Sequence, residues 1–321
     1  MQPLQKQTEC VKVARVIFMK KQLRGSIFLL LATVIWGSAF VSQSIGMDHI
    51  GPFTFQAMRC FLAVIGLLPV ILISDRFKRE NKTFFGRWAD SALWKAGILC
   101  GIPLFLACNL QQIGLVDTDV GKAGFLTAMY IVIVPIIGIF LKKRPTIMVP
   151  ISVLIAVAGL YCLCCAGTTQ IESGDLLMIA SALMFAIQIT CVDKFSRDLD
   201  PLRLNAIQAL VCSVLSTIIV VFNETPTWTG ITACTIPLLH TGFLSMGAAY
   251  AFQIIGQKDI EPTAAALIMS LESVFAAIFG VMILHETMTF WETVGCILVF
   301  IAVILSQVPI KTKNNKNASF I

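Results

Sequence analysis

The sequence predicts an all-α integral membrane protein with ten transmembrane helices, arranged as two inverted five-helix repeats. Three observations predict this fold class: an apolar composition, ten apolar stretches and a weak internal repeat. Hydrophobic residues make up 57% of the 321 positions and charged residues 13%, whereas soluble domains usually contain about 25% charged residues. Because so apolar a chain cannot cover itself with polar surface, we expect lipid to be its solvent.

Ten stretches of the chain meet the length of roughly 20 apolar residues that a helix needs to cross the hydrocarbon core. The loops between them are short, so we expect no soluble domain. The stretches cover residues 26–45, 53–74, 95–116, 121–141, 146–166, 174–194, 202–222, 234–256, 263–284 and 290–308.

The positions of lysine and arginine predict how the helices are oriented, because these residues accumulate on the cytoplasmic side of a membrane. With the N-terminus placed inside, 22 of the 24 lysines and arginines fall on that side, whereas Lys122 lies outside and Arg59 lies within a helix. We therefore expect a multi-pass protein of the cytoplasmic membrane with both termini in the cytoplasm. The net charge of +6 then reflects topology, and no nucleic-acid partner is predicted.

The second half of the chain resembles the first. A shift of 142 residues aligns Gly114 with Gly256, and a shift of 149 aligns Pro52 with Pro201. Because each copy has an odd number of helices, the two copies enter the membrane in opposite orientations, as in alternating-access transporters. The predicted segments are a cytoplasmic tail 1–24, a first repeat 25–166, a second repeat 174–309 and a cytoplasmic tail 310–321.

Four segments carry a family resemblance. The first helix contains ATVIWGSAFV from residue 32, and the second begins GPFTFQAMRC at residue 51. The fourth reads GKAGFLTAMYIVIVPIIG from residue 121, and the ninth reads AALIMSLESVFAAIFGVMILHETMT from residue 265. Together these segments resemble the EamA-type branch of the drug/metabolite transporter superfamily, and the likeness extends over residues 24–309.

The resemblance implies a ten-helix inverted-repeat fold with a central cavity, and export of amino acids, related metabolites or toxic compounds. Two features depart from the family pattern. Ser273 stands where the family often has proline, so a kink of the ninth helix at this position does not follow from the resemblance. Lys143 and Arg144 stand where the first repeat often ends in an acidic residue, so a paired role of acids at both repeat ends is not carried over.

Charged side chains inside the predicted helices are candidates for function, because each costs roughly 2.5–3.5 kcal/mol to insert at mid-helix. Glu272 is the only carboxylate near the centre of a predicted helix. It is either the protonatable group that couples transport to protons or a structural acid held by neighbouring helices. Arg59 could bind a substrate carboxylate, pair with Glu272 or extend to the outer headgroups.

Polar and aromatic residues at helical spacing complete the candidate site, because such stripes must face protein or a wet cavity when the solvent is lipid. Helix–helix hydrogen bonding would satisfy some of them. Together they predict a cavity for a small amphipathic solute. The substrate-binding candidates are Trp36, Arg59, Asn109, Gln112, Tyr130, Gln188, Tyr250, Gln253 and Glu272.

The sequence predicts no catalytic residues, metal site or cofactor. His49, His240 and His285 are far apart, and most of the eleven cysteines lie in apolar runs, as free buried thiols do. The favoured function is a secondary transporter that exports small organic metabolites, as a monomer or homodimer in the lipid bilayer. The alternatives are a carrier of drugs and toxic compounds, a membrane-embedded lipid-modifying enzyme, and a channel.

Overall fold

The structure, a computed structural model, describes residues 2–77, 83–118, 120–142, 148–164, 173–284 and 288–306. All regular secondary structure in these ranges is helical. The helices of the first half are α1 (Gln2–Met47), α2 (Pro52–Phe77), α3 (Phe84–Trp88), α4 (Ser91–Gly114), α5 (Val120–Ala128), α6 (Tyr130–Phe140) and α7 (Met148–Cys164).

The second half is also helical throughout its described residues, and a π-helical segment, His240–Ala249, follows α11. Its α-helices are α8 (Ser173–Phe195), α9 (Pro201–Asn223), α10 (Trp228–Ala233), α11 (Thr235–Leu239), α12 (Tyr250–Gln257), α13 (Pro262–Met269), α14 (Leu271–Leu284) and α15 (Phe290–Ser306).

Eight helical stretches within the described residues are long and apolar enough to cross a membrane. Two shorter apolar helices, Met148–Cys162 and Phe290–Ser306, correspond to the fifth and tenth predicted stretches. The eight are Met19–Met47, Pro52–Phe77, Ser91–Gly114, Val120–Phe140, Ser173–Phe195, Pro201–Asn223, Thr235–Gln257 and Pro262–Ile283.

Large apolar side chains cover the outer surface of these helices. Phe77, Phe140 and Phe222 are each more than four-fifths exposed, a pattern that suits lipid as the surrounding solvent. The expectation of an all-helical, multi-pass membrane protein is confirmed. The predicted tail 1–24 is helical from Gln2 onward and continuous with the first span. The predicted tail 310–321 and the departure at residues 143 and 144 lie outside the described residues.

The core is built mainly between the two halves of the chain. α2 packs along α9, and α7 packs along α15. α4 packs along α8 and α9, while α1 packs along α13, α14, α12 and the π-helical segment. Each of these contacts joins one helix of the first half to helices of the second half, so the space between the halves is where an internal site can form.

Two of the membrane-spanning stretches are interrupted. α5 gives way to α6 at Met129, whose amide donates to the Leu126 carbonyl at 3.3 Å, a tighter turn than an α-helix makes. α13 gives way to α14 at Ser270, whose hydroxyl donates to the Leu267 carbonyl at 2.8 Å. The ninth stretch is therefore interrupted at Ser270, without a proline at Ser273.

The π-helical segment is stabilised from α9 by one side chain. Nδ2 of Asn205 donates to the carbonyl oxygens of Met246 and Gly247, at 3.0 and 2.8 Å. A π-helical turn disturbs the normal pairing of backbone carbonyls, and no water is available in the bilayer core to bond them. Asn205 therefore compensates for the irregular winding of this span.

We expect Asn205→Ala to destabilise the protein by roughly 1–3 kcal/mol, because two buried carbonyls lose a donor. The apparent melting temperature in detergent measures this loss. The matched control is Asn223→Ala, since Nδ2 of Asn223 bonds the Ile219 carbonyl at the exposed end of the same helix. Equal melting temperatures for the two variants would contradict the role given to Asn205.

Gly37 lets α1 lie directly against α14. A Cβ atom at this position would stand 2.4 Å from Cβ of Phe275 and 2.8 Å from its backbone carbonyl carbon. Because a backbone atom cannot turn aside as a side chain can, any larger residue must push the two helices apart. Gly121 is the opposite case, since a Cβ atom there meets nothing within 4 Å.

We expect Gly37→Ala to destabilise the protein by about 1–3 kcal/mol through overpacking. The control, Gly121→Ala, should leave the protein unchanged or slightly more stable, because alanine is the better helix former. Thermal unfolding of both variants in the same detergent tests this pair. A Gly37→Ala protein as stable as Gly121→Ala would mean that α1 and α14 are further apart than described.

Candidate functional site

An internal cavity lies between the two halves of the chain. Ten helical elements contribute to its wall, and its free space of about 40 Å³ is enough for a few water molecules. The lining residues are Trp36, Phe40, Gln43, Arg59, Gln111, Thr127, Tyr130, Phe185, Ile189, Ser245, Met246, Tyr250, Gln253, Met269 and Glu272.

The two helix interruptions bring residues to this cavity. Tyr130 is the first residue of α6, directly after Met129, and Met269 and Glu272 flank Ser270. An interrupted helix changes the direction of its side chains within one turn. In a continuous helix, these residues would point in other directions relative to the cavity. In membrane carriers, such irregular backbone is tolerated where it lines a cavity.

Arg59 lies inside the protein, with 2% of its surface exposed. Its Nε donates to Oε1 of Gln56 at 2.6 Å, and its Nη1 donates to Oε1 of Gln43. Its guanidinium also lies 5.9 Å from the centre of the Phe55 ring. Arg59 therefore does not extend to the lipid headgroups, and within the described residues it forms no ion pair with Glu272.

Glu272 accepts a hydrogen bond from the Tyr130 hydroxyl at 3.0 Å. Both side chains are buried and both line the cavity. They are 142 residues apart, the same shift that aligns the two halves of the sequence. Tyr130 and Glu272 thus occupy matching positions in the two halves and meet at the cavity between them.

Two polar atoms in the cavity wall are buried without a hydrogen-bond partner among the described residues. They are Nε1 of Trp36, a donor, and Oε1 of Gln253, an acceptor. The Trp36 ring packs edge-on against Tyr250, with centroids 5.0 Å apart, so its position is fixed by packing. A buried polar atom without a partner is costly, and a bound molecule or water could satisfy both atoms.

Two stretches of the chain match the model of one known protein family. The model of the EamA-like transporter family matches residues 23–165 and, separately, residues 172–307. The chain belongs to the EamA-like transporter family. As a family member it is a membrane transporter and not an enzyme, so the alternative of a lipid-modifying enzyme is set aside.

Relatives of this EamA-like transporter come from archaea, bacteria and plants. An uncharacterized transporter of Archaeoglobus fulgidus is 33% identical over 89% of this chain and 86% of its own. YoaV of Bacillus subtilis, also named an uncharacterized transporter, is 21% identical over 84% of this chain and 92% of its own. A chloroplastic WAT1-related protein of Arabidopsis thaliana is 24% identical over 85% of this chain and 67% of its own.

A solved crystal structure has the same fold as this EamA-like transporter. The two superpose with a TM-score of 0.73, over 88% of this chain and 96% of the other. Their sequences are 16% identical, so the likeness shows the fold alone.

The structure brings most of the sequence-predicted candidates of this transporter together. Six of the nine line the cavity: Trp36, Arg59, Tyr130, Tyr250, Gln253 and Glu272. The other three, Asn109, Gln112 and Gln188, are buried but lie outside its lining. Asn109 bonds Ser216 of α9 at 2.9 Å. Gln188 donates to Gln208 and accepts from Gln253, so these amides connect helices.

Four polar residues of the cavity wall were missing from the sequence-based set: Gln43, Gln111, Thr127 and Ser245. Gln43 orients Arg59, and Nε2 of Gln111 donates to the Thr127 hydroxyl at 3.1 Å. A signal for Gln111 was present, because the 142-residue shift aligns it with Gln253. Ser245 lies in the π-helical segment, whose winding changes which residues share a face.

The described residues contain no group of three or more histidine, cysteine or acidic side chains that could hold a metal ion. His240 instead links α11 and the π-helical segment to α1, since its two ring nitrogens lie 3.2 Å from the Ser38 hydroxyl and 2.9 Å from the Ser42 hydroxyl. His285 lies outside the described residues.

Proposed function

We propose that this EamA-like transporter is a secondary carrier that exports small organic metabolites, such as amino acids and related compounds, by alternating access. The observation that carries the proposal is the internal cavity, which both halves line and whose wall contains polar atoms without partners. A cavity with few, well-placed polar groups in an apolar surrounding suits a small amphipathic solute. In carriers the substrate site lies at the interface between repeats.

The proposed architecture is ten membrane-crossing helices in two inverted repeats, residues 25–166 and 174–309. Its support is that the family match occurs twice, that the helices pack between the halves, and that one span in each half is interrupted. Two similar halves in opposite orientations allow two conformations of similar energy, open to opposite sides. One chain lines the whole cavity, so a single subunit is the proposed transport unit, in a monomer or a homodimer.

A carrier accounts for the size of the cavity better than a channel does. The free space of about 40 Å³ holds only a few water molecules, and alternating access would enlarge it for cargo by moving the surrounding helices apart. A channel needs a continuous path lined by polar groups or by a ring of like charges. The cavity wall instead has one acid and one arginine.

The proposed topology places both termini in the cytoplasm of the cell, on the distribution of lysine and arginine. Single cysteines introduced at Arg76 and Lys95, which flank α3, test it on a background without accessible native thiols. A membrane-impermeant maleimide should label them only after the cells are opened. Labelling in intact cells would reverse the topology.

A carrier of drugs and toxic compounds is the second candidate. The specific observation in its favour is the set of bulky, adaptable apolar side chains in the cavity wall. Methionine in particular repacks around cargo of different shapes. These side chains are Trp36, Phe40, Phe185, Met246 and Met269. Such a carrier would accept large apolar cations as well as metabolites.

Counterflow in proteoliposomes tests the proposal. Purified protein is first screened for solutes that raise its apparent melting temperature, since a ligand of the folded state stabilises it. Liposomes loaded with an unlabelled hit should then take up the radiolabelled solute transiently above its equilibrium level. Empty liposomes are the control. Uptake that rises only to equilibrium would indicate a channel, and no uptake of any hit would overturn the carrier.

A further inference from the structure

We infer that the cargo of this transporter carries a carboxylate group, and that Arg59 binds it in the central cavity. The inference rests on the proposed carrier function and adds to it the chemical class of the cargo. It also separates the two candidate functions, because a permanent organic cation has no group that needs Arg59.

The first step is that Arg59 lacks an acidic partner where the other buried arginines have one. Among the described residues, three arginines are buried: Arg59, Arg87 and Arg203. Arg87 and Arg203 share the carboxylate of Asp75. No acid of the described residues forms an ion pair with Arg59, and its hydrogen-bond partners are neutral: the side-chain amides of Gln43 and Gln56 and the thiol of Cys108.

The second step is that Arg59 keeps its charge. A guanidinium is always protonated in proteins, and a buried charge without a counter-ion is strongly unfavourable. Amide oxygens supply partial negative charge, but they do not neutralise it. A protein that keeps an arginine inside the membrane in this way has a use for an anion at that place.

The third step is that the guanidinium is oriented and partly free. Gln56 holds Nε and Gln43 holds Nη1, and Gln43 lines the cavity beside Arg59. Nη2 donates to no oxygen among the described residues. Two amides thus fix the plane of the group and leave donors for a bound anion. Carboxylates match the guanidinium geometrically, because two oxygens can accept from two adjacent N–H groups.

The fourth step concerns the rest of the cargo. The nearby wall is mostly apolar and aromatic, but Nε1 of Trp36 and Oε1 of Gln253 have no partner among the described residues. Gln253 offers an acceptor, so the site suits a cargo with an apolar body and a hydrogen-bond donor apart from its carboxylate. The carboxylate itself remains the group that Arg59 requires.

The test compares solutes that share a skeleton and differ in one group. Wild-type protein is titrated with L-leucine, with L-leucinamide, which lacks the carboxylate, and with 4-methylpentanoate, which lacks the amine. The L-phenylalanine set and tetraphenylphosphonium, an apolar cation, are titrated in parallel, and the melting temperature is followed. We expect a carboxylate in at least one set to stabilise the protein with an apparent affinity at least tenfold above that of its amide.

Two variants connect this preference to Arg59. Arg59→Gln should reduce the difference between acid and amide to less than about threefold. Arg197→Gln, which removes an exposed arginine near the end of α8, should keep the wild-type preference. Size-exclusion profiles show whether each variant is folded, and the wild-type titrations stand on their own if Arg59→Gln does not fold.

Four outcomes overturn the inference: no carboxylate stabilises the wild type, an amide stabilises it as well as its acid, the cation stabilises it best, or folded Arg59→Gln keeps the preference. Counterflow with the same solutes separates this failure from failure of the carrier proposal. Counterflow of amides alone would keep the carrier and reject Arg59 as the carboxylate site. Stabilisation by carboxylates without counterflow of any solute would keep Arg59 as the carboxylate site and reject the carrier.

Discussion

Replacing Glu272 with glutamine is expected to abolish flux driven by a pH gradient, while exchange of cargo down its own gradient continues. Glu272 is the only acid among the described residues that line the cavity. An amide of nearly the same shape cannot take up or release a proton. If protons drive export, the step that couples them to the cargo is lost.

The geometry makes Glu272 a suitable carrier of a proton. It is the second residue of α14, two positions after the interruption at Ser270, and its Oε1 accepts from the Tyr130 hydroxyl at 3.0 Å. Tyr130 begins α6 directly after the interruption at Met129. A movement of either interrupted helix would change this hydrogen bond. If Glu272 carries the proton, conformational change and proton binding would thereby be linked.

Proteoliposomes with an imposed pH gradient provide the measurement. Wild-type protein should accumulate labelled cargo above equilibrium, and Glu272→Gln should only reach equilibrium, with counterflow kept within a few-fold of the wild type. The control is Asp198→Asn, in the exposed loop between α8 and α9, which should behave as the wild type does. Unaltered accumulation by Glu272→Gln would remove the proton role and leave Glu272 as a structural acid.

The membrane-spanning helices could be predicted from the sequence because the cost of placing a residue in lipid is local and adds up along one stretch. The interruptions are different. No proline marks the break at Ser270, and the back-bond of its hydroxyl to Leu267 is not a distinguishing signal, since Ser38 makes the same bond to Ile35 within the uninterrupted α1. The π-helical winding of His240–Ala249 depends on Asn205, a residue of another helix. A tertiary contact such as that of Asn205 has no signal within the segment that it stabilises.

The candidate site was predictable in part for the same reason. Arg59 and Glu272 could be identified because a charged side chain within a span is costly whichever way its helix faces, so it must have a structural or functional role. The roles of the amide side chains were harder to predict. A polar stripe shows which face of a helix avoids lipid, but it does not show whether that face contacts another helix or the cavity. Asn109 meets Ser216 of α9, whereas Gln253 meets the cavity. The partners of Arg59 could not be predicted from charge, since they include the neutral amides of Gln43 and Gln56.

The largest expected effect on stability comes from Asp75→Asn. The Asp75 carboxylate accepts from both Nη atoms of Arg203 and, at 2.8 Å, from Nη1 of Arg87. Both arginines are buried. The Arg203 guanidinium also lies over the rings of Phe84 and Trp88, 5.8 and 5.4 Å from their centres. Asp75 thus holds the end of α2, the start of α9 and the short α3 together.

Removing one acid that serves two buried arginines weakens the interactions of both charges inside the protein. Breaking a buried ion pair on one side costs about 3–5 kcal/mol. Asp200, 3.3 Å from Nη1 of Arg203, retains part of the interaction for Arg203. The remaining loss is still large compared with the effect of most substitutions, which is about 1 kcal/mol.

The chain contains its own matched control at the opposite end of the same helix pair. The 149-residue shift that aligns the repeats pairs Asp75 with Glu224 and Arg203 with Thr54. Glu224 ends α9 and accepts from the backbone amides of Phe53 and Thr54 at the start of α2, at 3.0 and 2.8 Å. Glu224→Gln removes a helix cap and no buried ion pair, so we expect it to cost only about 0.5–2 kcal/mol.

Thermal unfolding of the two variants in one detergent tests this contrast, with the wild type as reference. Asp75→Asn should melt well below Glu224→Gln, although both change one acid to its amide at the α2–α9 contact. Equal losses would mean that the arginines at the Asp75 end find other partners or water. A larger loss for Glu224→Gln would mean that α2 and α9 are held together chiefly at the opposite end, by the cap rather than by the shared carboxylate.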